Sequence, residues 1–310
     1  MKLYVFDGHC DTAVLLLRRK QSIAGNDCHI DLNKARVLDG YAQVFAFCSL
    51  SGIDVGAEPQ KLLLELPLRE LRSQVAAHAD RIAFAHDGNQ AKSIVEQGRA
   101  AALLSLEGAE LIDCDPQKLF ALRDEGFVMT TLTWNADNAL AGWHGSQSGL
   151  SDRGRAFVRA AEEAGILIDV SHLSERAFWQ LAEYSQKPIL ASHSNCRAVW
   201  EHTRNLTDDQ LRAIAQSGGT VGLNLYTDFL GENADFDTML RHVEHAMRLC
   251  GEDHVALGGD LDGCESLPKG FAHIGSYRDF AEFLLSRGYD EALIDRLFFS
   301  NLARLLGGTG

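Results

Sequence analysis

His9 and Asp11 are the first side chains of metal-binding type that stand close together in the chain. They follow a short apolar segment that begins at Leu3. In an extended strand, residues i and i+2 point to the same side, so this spacing predicts an imidazole and a carboxylate side by side where a strand ends. Taken alone, a His-x-Asp triplet is more often an ordinary polar strand end.

Four further apolar segments end in a residue of the same kind, and these residues are Glu107, His172, His193 and Asp260. Each also has an ordinary interpretation: the glutamate as a helix cap, the Ser-His pairs as turns, and the Gly-Gly-Asp sequence as a loop. Glu107 follows nearly unbroken apolar sequence, where an unpaired charge is costly to desolvate, so we expect a cation beside it. The recurrence favours one shared site.

Short apolar segments alternate with segments of helical period along the chain. The predicted strands are residues 3 to 9, 42 to 50, 101 to 107, 127 to 133, 166 to 172, 188 to 193, 219 to 225 and 254 to 260. Their continuous apolar character is typical of parallel strands that are covered by helices on both faces. Eight such units predict an α/β protein with one (β/α)8 (TIM) barrel domain over residues 1 to 310.

Three helices have clear sequence signals. Residues 207 to 217 begin with a capping box and end at a glycine, while residues 236 to 250 and 276 to 287 each carry one apolar face. The segment from 51 to 100 is longer than one crossover requires, so it is expected to hold two helices. We expect the extra C-terminal helices, from 276 onward, to pack outside the barrel.

In a barrel of this class, the chemistry lies at the C-terminal ends of the strands. The prediction therefore gathers three imidazoles and three carboxylates at one mouth. Two Zn²⁺ ions could be held by five of these side chains, with Glu107 as the bridge. Two metals about 3.5 to 4 Å apart share a hydroxide and polarise a carbonyl group. Mn²⁺, Co²⁺ and Fe²⁺ accept the same donors, so the sequence does not determine the identity of the metal. The predicted ligands are His9, Asp11, Glu107, His172 and His193.

Composition excludes several classes of protein. The net charge of -14 argues against a nucleic-acid partner, because phosphate binding requires clustered Lys and Arg. No apolar stretch approaches the about 18 residues of a membrane span, so we expect neither export nor a membrane anchor. Seven cysteines without a C-x-x-C pair indicate buried, reduced thiols and a cytoplasmic protein.

Six motifs together resemble those of the renal (membrane) dipeptidase family, in the family's order and across nearly the whole chain. They are Asp-Gly-His-Cys-Asp at 7–11, Leu-Glu-Gly at 106–108, Ile-Asp-Val-Ser-His at 168–172, Ala-Ser-His-Ser at 191–194, Arg-Asn-Leu-Thr-Asp-Asp at 204–209 and Gly-Gly-Asp-Leu-Asp-Gly at 258–263. The resemblance implies a binuclear zinc barrel of the amidohydrolase type that hydrolyses dipeptides, sometimes with a D-residue at the C-terminal position. It also makes a homodimer a candidate for the assembly of this protein.

The resemblance assigns a role to each matching position. His9 and Asp11 would bind one metal, a pair of histidines the other, and Glu107 both. Asp260 would shuttle a proton from the attacking hydroxide to the leaving amine. Arg204 would pair with the C-terminal carboxylate of the substrate, a task that suits its planar guanidinium group. The two histidines of the second metal would be His172 and His193.

The chain departs from the family pattern at one position. Mammalian members carry a substrate-binding histidine where this sequence has Trp134, which leaves the contacts at the scissile carbonyl and the substrate range open. His144 is a candidate substitute, although its Gly-Trp-His-Gly surroundings favour a surface loop. His242 and His245 stand one helical turn apart without a His-Glu-x-x-His motif, so they are interpreted as ordinary helix residues.

Two rival functions remain. A related binuclear amidohydrolase acting on a cyclic amide, lactam or lactone would use the same metals, and Trp134 keeps this alternative open. Many such enzymes begin with His-x-His, whereas this chain has His-x-Asp. A barrel that binds peptides without catalysis is the second rival, and the presence of every ligand together with Asp260 argues against it.

Overall fold

The computed structural model describes residues 1–49 and 60–307, and its strands form one parallel sheet. Strand β2 pairs with both β1 and β4, so the sheet closes on itself. This closure gives an eight-stranded barrel and confirms the predicted (β/α)8 fold. The strands are β1 Tyr4–Cys10, β2 Gly40–Cys48, β3 Ile82–Phe84, β4 Ala100–Glu107, β5 Phe127–Thr131, β6 Leu167–Asp169, β7 Leu190–Ala191, β8 Thr220–Leu223 and β9 Val255–Leu257.

Strand β3 is an addition that the sequence did not reveal. It pairs with residues 100 to 102 of β4, while β5 pairs with residues 104 to 106 of the same strand. The short strand therefore lies beside β4 at the base of the barrel wall and shares that edge with β5. Three residues are too few for an apolar period to separate a strand from the flank of a helix.

Helices surround the barrel and follow most of its strands. They are α1 Thr12–Arg19, α2 Gln60–Ala77, α3 Gly88–Glu96, α4 Lys118–Asp124, α5 Asp152–Ala164, α6 Glu175–Tyr184, α7 Asp208–Gln216, α8 Thr227–Leu230, α9 Phe236–Cys250, α10 Tyr277–Ser286, α11 Glu291–Asp295 and α12 Asn301–Leu306. A π-helical turn, Arg296–Ser300, joins the last two. No described helix is both long enough and apolar enough to cross a membrane.

The helices that the sequence predicted are present. The Thr207 hydroxyl accepts a hydrogen bond from the backbone N–H of Gln210, and the Gln210 side-chain oxygen accepts one from the backbone N–H of Thr207, so α7 begins with the expected capping box. The segment between β2 and β4 holds the two expected helices, although residues 50 to 59, which include the last residue of the predicted strand 42 to 50, lie outside the described part. The seven cysteines are buried thiols, as predicted.

The last helix is placed differently from the prediction. The faces of α9 and α10 pack together outside the barrel through Phe236 and Phe280, whose ring centroids are 5.4 Å apart. In contrast, α12 shares a core with inward-facing strand residues such as Leu103, and Phe299 lies 5.7 Å from the ring of Phe6. The C-terminal segment therefore closes the N-terminal end of the barrel, opposite the strand ends that carry the predicted site.

Asp7 joins the first strand to the last part of the chain. Its carboxylate is fully buried and accepts hydrogen bonds from the backbone N–H of His9 at 3.0 Å and of Gly259 at 2.9 Å. The side chains of Gln43, at 3.2 Å, and Tyr277, at 2.6 Å, donate to it as well. Burial raises the pKa of Asp7, and these four donors oppose that effect. This residue thus fixes the backbone on both sides of the predicted site.

We expect Asp7→Ala to lower the free energy of unfolding by about 3 kcal/mol, because four buried donors lose their acceptor. Tyr277→Phe removes one donor and should cost about 1 kcal/mol. Urea denaturation followed by circular dichroism measures both values. An Asp7→Ala protein as stable as its parent would show that Asp7 does not tie these elements together.

Candidate metal centre

His9 and Asp11, the first pair of predicted ligands, are positioned by an irregularity of β1 and by the start of α1. The pairing register of β1 with β2 shifts between Asp7 and Cys10, so His9 lies at an irregularity of the strand. Asp11 follows as the residue that precedes α1. His9 Nε2 lies 3.8 Å from Asp11 Oδ2, so the two side chains meet as predicted, although not through a straight strand.

Glu107 occupies the centre of the group. It is the last residue of β4 and is 3% exposed. Its Oε2 atom lies 3.5 Å from His9 Nε2. Its Oε1 atom lies 3.0 Å from His172 Nε2 and 3.5 Å from His193 Nε2. The two oxygens of one carboxylate therefore face two separate sets of imidazoles, which is the arrangement that a bridging ligand requires.

Both later histidines leave the sheet shortly after a strand ends. His172 comes three residues after β6 and has φ +70°, a left-handed conformation that is uncommon outside glycine. His193 comes two residues after β7. The predicted strands extended to these residues, whereas the observed strands stop earlier. The backbone turns at these points, and the turns direct the side chains toward Glu107.

Neighbouring side chains fix the orientation of both imidazole rings. His172 Nδ1 lies 3.0 Å from Asn135 Oδ1, which only accepts hydrogen bonds, so Nδ1 carries the proton. His193 Nδ1 lies 2.6 Å from Ser192 Oγ, and the Ser192 hydroxyl is hydrogen-bonded to the buried Asp169. In each ring the Nε2 lone pair is then free to coordinate a metal, as second-shell contacts commonly arrange.

The donor atoms fit divalent cations. His172 Nε2 and His193 Nε2 are 3.0 Å apart, and both present lone pairs toward the same oxygen of Glu107. The buried His9 Nε2 has no hydrogen-bond partner among the described residues, although carboxylates surround it. Ligands at about 2.0–2.2 Å from a tetrahedral zinc ion stand about 3.4 Å apart, close to these spacings. Three sets of donors lie within 4.8 Å of one another: His9, Asp11 and Glu107; Glu107, His172 and His193; and His9, His193 and Asp260.

The electrostatic field also favours positive charge at this point. Burial acts to lower the pKa of His9, but the carboxylates of Glu107 and Asp11 outweigh it and raise that pKa well above the usual value. Burial acts to raise the pKa of Glu107, yet His9 and His172 hold it well below its usual range. A group of buried carboxylates that draws a proton onto an imidazole in this way would stabilise a metal cation in the same place.

Asp260 lies beside the ligands but is held differently. It follows β9 by three residues with φ +55°. Asn224 donates to its Oδ2 atom at 3.0 Å, while its Oδ1 atom lies 3.9 Å from His9 Nε2. Burial is the main cause that raises its pKa to about 7. A side chain at Gly263 would overlap the carboxylates of Asp11 and Asp260, so glycine is required there.

Arg204 completes the site on its other side. Its side chain is buried, donates to Ser194 Oγ at 3.4 Å and to the carbonyl of His193 at 3.2 Å, and lies 5.3 Å from the Phe229 ring. Among the residues that the structure describes, no carboxylate oxygen lies within 4.0 Å of it. A buried guanidinium group without an anionic partner is costly, so this position is suited to an anion from a ligand.

A cavity of about 940 Å³ connects these groups. Its lining includes Trp134, the residue at the position of the family's substrate-binding histidine, together with Glu107, His172, Asp260 and Arg204. The Trp134 and His172 ring centroids are 6.2 Å apart. Apolar residues of α1 and α2 form another part of the wall: Val14, Leu15, Leu17, Leu62, Leu63, Leu66 and Pro67.

His144 lies in a loop, as predicted, but it is half-buried rather than a plain surface residue. His144 lines the cavity, because its backbone N–H donates to the carbonyl of His172 at 2.7 Å and draws the loop over the site. The prediction for the other histidine pair is confirmed. His242 and His245 lie in α9, where His242 bonds to the backbone of Leu230 and His245 to the side chain of Asp208.

Several residues that orient the site were not predicted. Four polar side chains hold a predicted ligand or Asp260 in position, and they are Asn135, Asn224, Ser192 and Asp169. In addition, Asp7 fixes the backbone at His9. A sequence signal existed for some of them, because they lie within three residues of a predicted site residue. Their polarity inside apolar segments was the usable clue.

Two solved structures closely match this fold. A metallo peptidase from Rhodobacter sphaeroides, solved with a phosphinate mimic of the dipeptide L-Ala-D-Ala, is 28% identical, with 99% of each chain covered and a TM-score of 0.91. The metallo peptidase called dipeptidase AC is 29% identical, with 99% of this chain and 100% of that chain covered and a TM-score of 0.90.

A curated relative also covers most of the chain. It is an uncharacterized protein in the pqqA 5′ region of Klebsiella pneumoniae, 33% identical over 250 residues, which are 76% of this chain and 92% of that protein. The family whose sequence pattern matches residues 1–309 is described as membrane dipeptidase, peptidase family M19. The chain therefore belongs to the membrane dipeptidase family, peptidase family M19.

Proposed function

We propose that this chain is a dipeptidase that hydrolyses the amide bond of a dipeptide with the help of two divalent metal ions, zinc in the first instance. The observation that carries the proposal is the position of Glu107, whose two oxygens face separate imidazole sets at 3.0 to 3.5 Å beside a cavity. Family membership and the likeness to a peptidase solved with a dipeptide mimic support it. The expected cytoplasmic location remains part of this proposal.

The ligands divide into two sets around Glu107. His9 and Asp11 would hold one ion and His172 and His193 the other, since these donors meet opposite oxygens of the shared carboxylate. Two bound ions supply an activated water nucleophile and a Lewis acid for the scissile carbonyl. The remaining chemistry, which is orientation and proton transfer, belongs to side chains of the protein.

Arg204 and Asp260 supply these two tasks. The buried guanidinium group of Arg204 would bind the C-terminal carboxylate of the substrate and place the scissile amide over the ligands. The carboxyl group of Asp260, with a pKa raised to about 7, can hold and release a proton near neutral pH. Asn224 anchors Oδ2, so Oδ1 is the atom that would deliver the proton to the leaving amine.

Zinc-loaded protein should release both amino acids from L,L and L,D dipeptides, and chelation should abolish the release because the ligand set then holds no cation. Re-addition of Zn²⁺ should restore the rate. The measurement is amino-acid release followed by mass spectrometry, with lactams and lactones assayed in parallel. Undiminished activity of the metal-free protein would rule out the proposal, and turnover of lactams or lactones alone would favour the rival amidohydrolase.

Asp260→Asn should lower kcat for dipeptides by roughly 10²- to 10⁴-fold, because the amide cannot carry the proton. The metal content measured by mass spectrometry should stay at the parent level. Asp253→Asn provides a matched control, since Asp253 is exposed and precedes the same strand at its other end. A fully active Asp260→Asn enzyme would show that our assignment of the proton carrier is wrong.

Arg204→Gln should lower kcat/KM for a free dipeptide on the order of 100-fold, because the substrate carboxylate loses its charged partner. A dipeptide with a C-terminal amide should be affected far less. Arg212→Gln, which changes an exposed arginine on α7, is the control. If the variant retains the parent's preference for the free carboxylate over the amide, Arg204 does not recognise that group.

A further inference from the structure

A second cavity adjoins the first and shares two lining residues with it. Its volume is about 470 Å³, compared with about 940 Å³ for the main cavity. Only His144 and Arg204 line both spaces among the residues that the structure describes. These two side chains therefore form the partition between the cavities, at the end where Arg204 is proposed to bind the carboxylate of the substrate.

His144 is held in the partition by contacts from two loops. Its backbone N–H donates to the carbonyl of His172 at 2.7 Å. Its ring Nδ1 lies 2.9 Å from Thr203 Oγ, one residue before Arg204. The ring of Trp143 packs against it edge-on, with centroids 4.5 Å apart. The loop after β5 and the loop after β7 are thus joined across the gap through His144.

The imidazole closes the gap by its volume and its hydrogen bond rather than by charge. Burial lowers the pKa of His144 to about 2, and the neighbouring Arg204, His172 and His202 contribute in the same direction. The ring is therefore neutral and adds no second positive charge beside the guanidinium group. The carboxylate recognition proposed for Arg204 does not require His144 as an ion.

The space behind the partition suits an extended peptide end. Polar side chains line it, including Ser146 and Gln147, together with two arginines besides Arg204. Arg197 is paired with Glu175 at 3.0 Å, while Arg176 is exposed. Exposed residues in the lining show that this cavity reaches the surface. A chain that passed the partition would find hydrogen-bonding partners and a cation for its terminal carboxylate.

We propose that His144 sets the length limit of the substrate by closing the carboxylate end of the main cavity. This inference rests on the proposed function, because Arg204 must face the C-terminal end of the substrate. A dipeptide ends at Arg204, whereas a tripeptide needs about 3.3–3.6 Å more along the chain and meets the imidazole. Removal of the ring would join the two cavities and give the third residue a place.

The test compares tri-L-alanine with di-L-alanine as substrates of the zinc-loaded enzyme. His144→Ala should raise the ratio of kcat/KM for the tripeptide to that for the dipeptide about tenfold or more, since a steric block is relieved. Thr203→Val, which keeps the volume and removes the hydrogen bond, should raise the ratio in the same direction by a smaller factor. His86→Ala is the control, because His86 is exposed and lines neither cavity; its ratio should not change.

A second readout does not depend on turnover. Calorimetric titration of metal-free parent and variant proteins with both peptides measures whether His144→Ala improves tripeptide binding relative to dipeptide binding. An unchanged ratio in both assays would overturn the length-limit proposal while dipeptide hydrolysis by the parent protein stands. If the parent protein cleaves neither peptide, the proposed function fails, and the titration alone decides the role of His144. Should His144→Ala not fold, Thr203→Val decides through the same two assays.

Discussion

The buried carboxylate of Glu107 is the constraint on which the rest of the site depends. A charge that is 3% exposed must be compensated on every side, since an ion removed from water costs several kcal/mol even after relaxation. The chain meets this requirement with the imidazole of His9 on β1 and those of His172 and His193, which follow the ends of β6 and β7. An imidazole that coordinates a metal is uncharged, so the metal ions that we propose between these rings and Glu107 would supply the compensating charge. The geometry of the other ligands follows from that requirement.

The strands of the barrel determine where each donor residue lies, and local irregularities of the backbone determine where its side chain points. A register shift turns β1 at His9, and left-handed backbone at His172 and Asp260 turns the chain away from the sheet. Such conformations cost of order 1–3 kcal/mol each and persist where surrounding structure enforces them. Here the carboxylate of Asp7 and the amide of Asn224 supply that surrounding structure through buried hydrogen bonds. Strain and buried polar contacts therefore occur together at the rim.

The donors could be located from sequence because parallel strands in a barrel all end at one mouth. An apolar segment that ends in His, Asp or Glu is thus enough to place His193 or Glu107 near the same point. The pairing of β3 and the early ends of β6 and β7 were not predictable, since a strand of two or three residues has no readable period. His144 is positioned by a backbone hydrogen bond to His172, which lies 28 residues later in the chain. No local pattern encodes such a contact.

Anomalous diffraction from a crystal of zinc-loaded protein, measured on both sides of the zinc absorption edge, would locate the ions that Glu107 is proposed to bridge. We expect two anomalous peaks, one between Glu107 and the pair His9 and Asp11, and the other between Glu107 and the pair His172 and His193. A carboxylate that bridges the two peaks would establish the binuclear centre. Peaks away from the mouth of the barrel, or no peak beside Glu107, would contradict it.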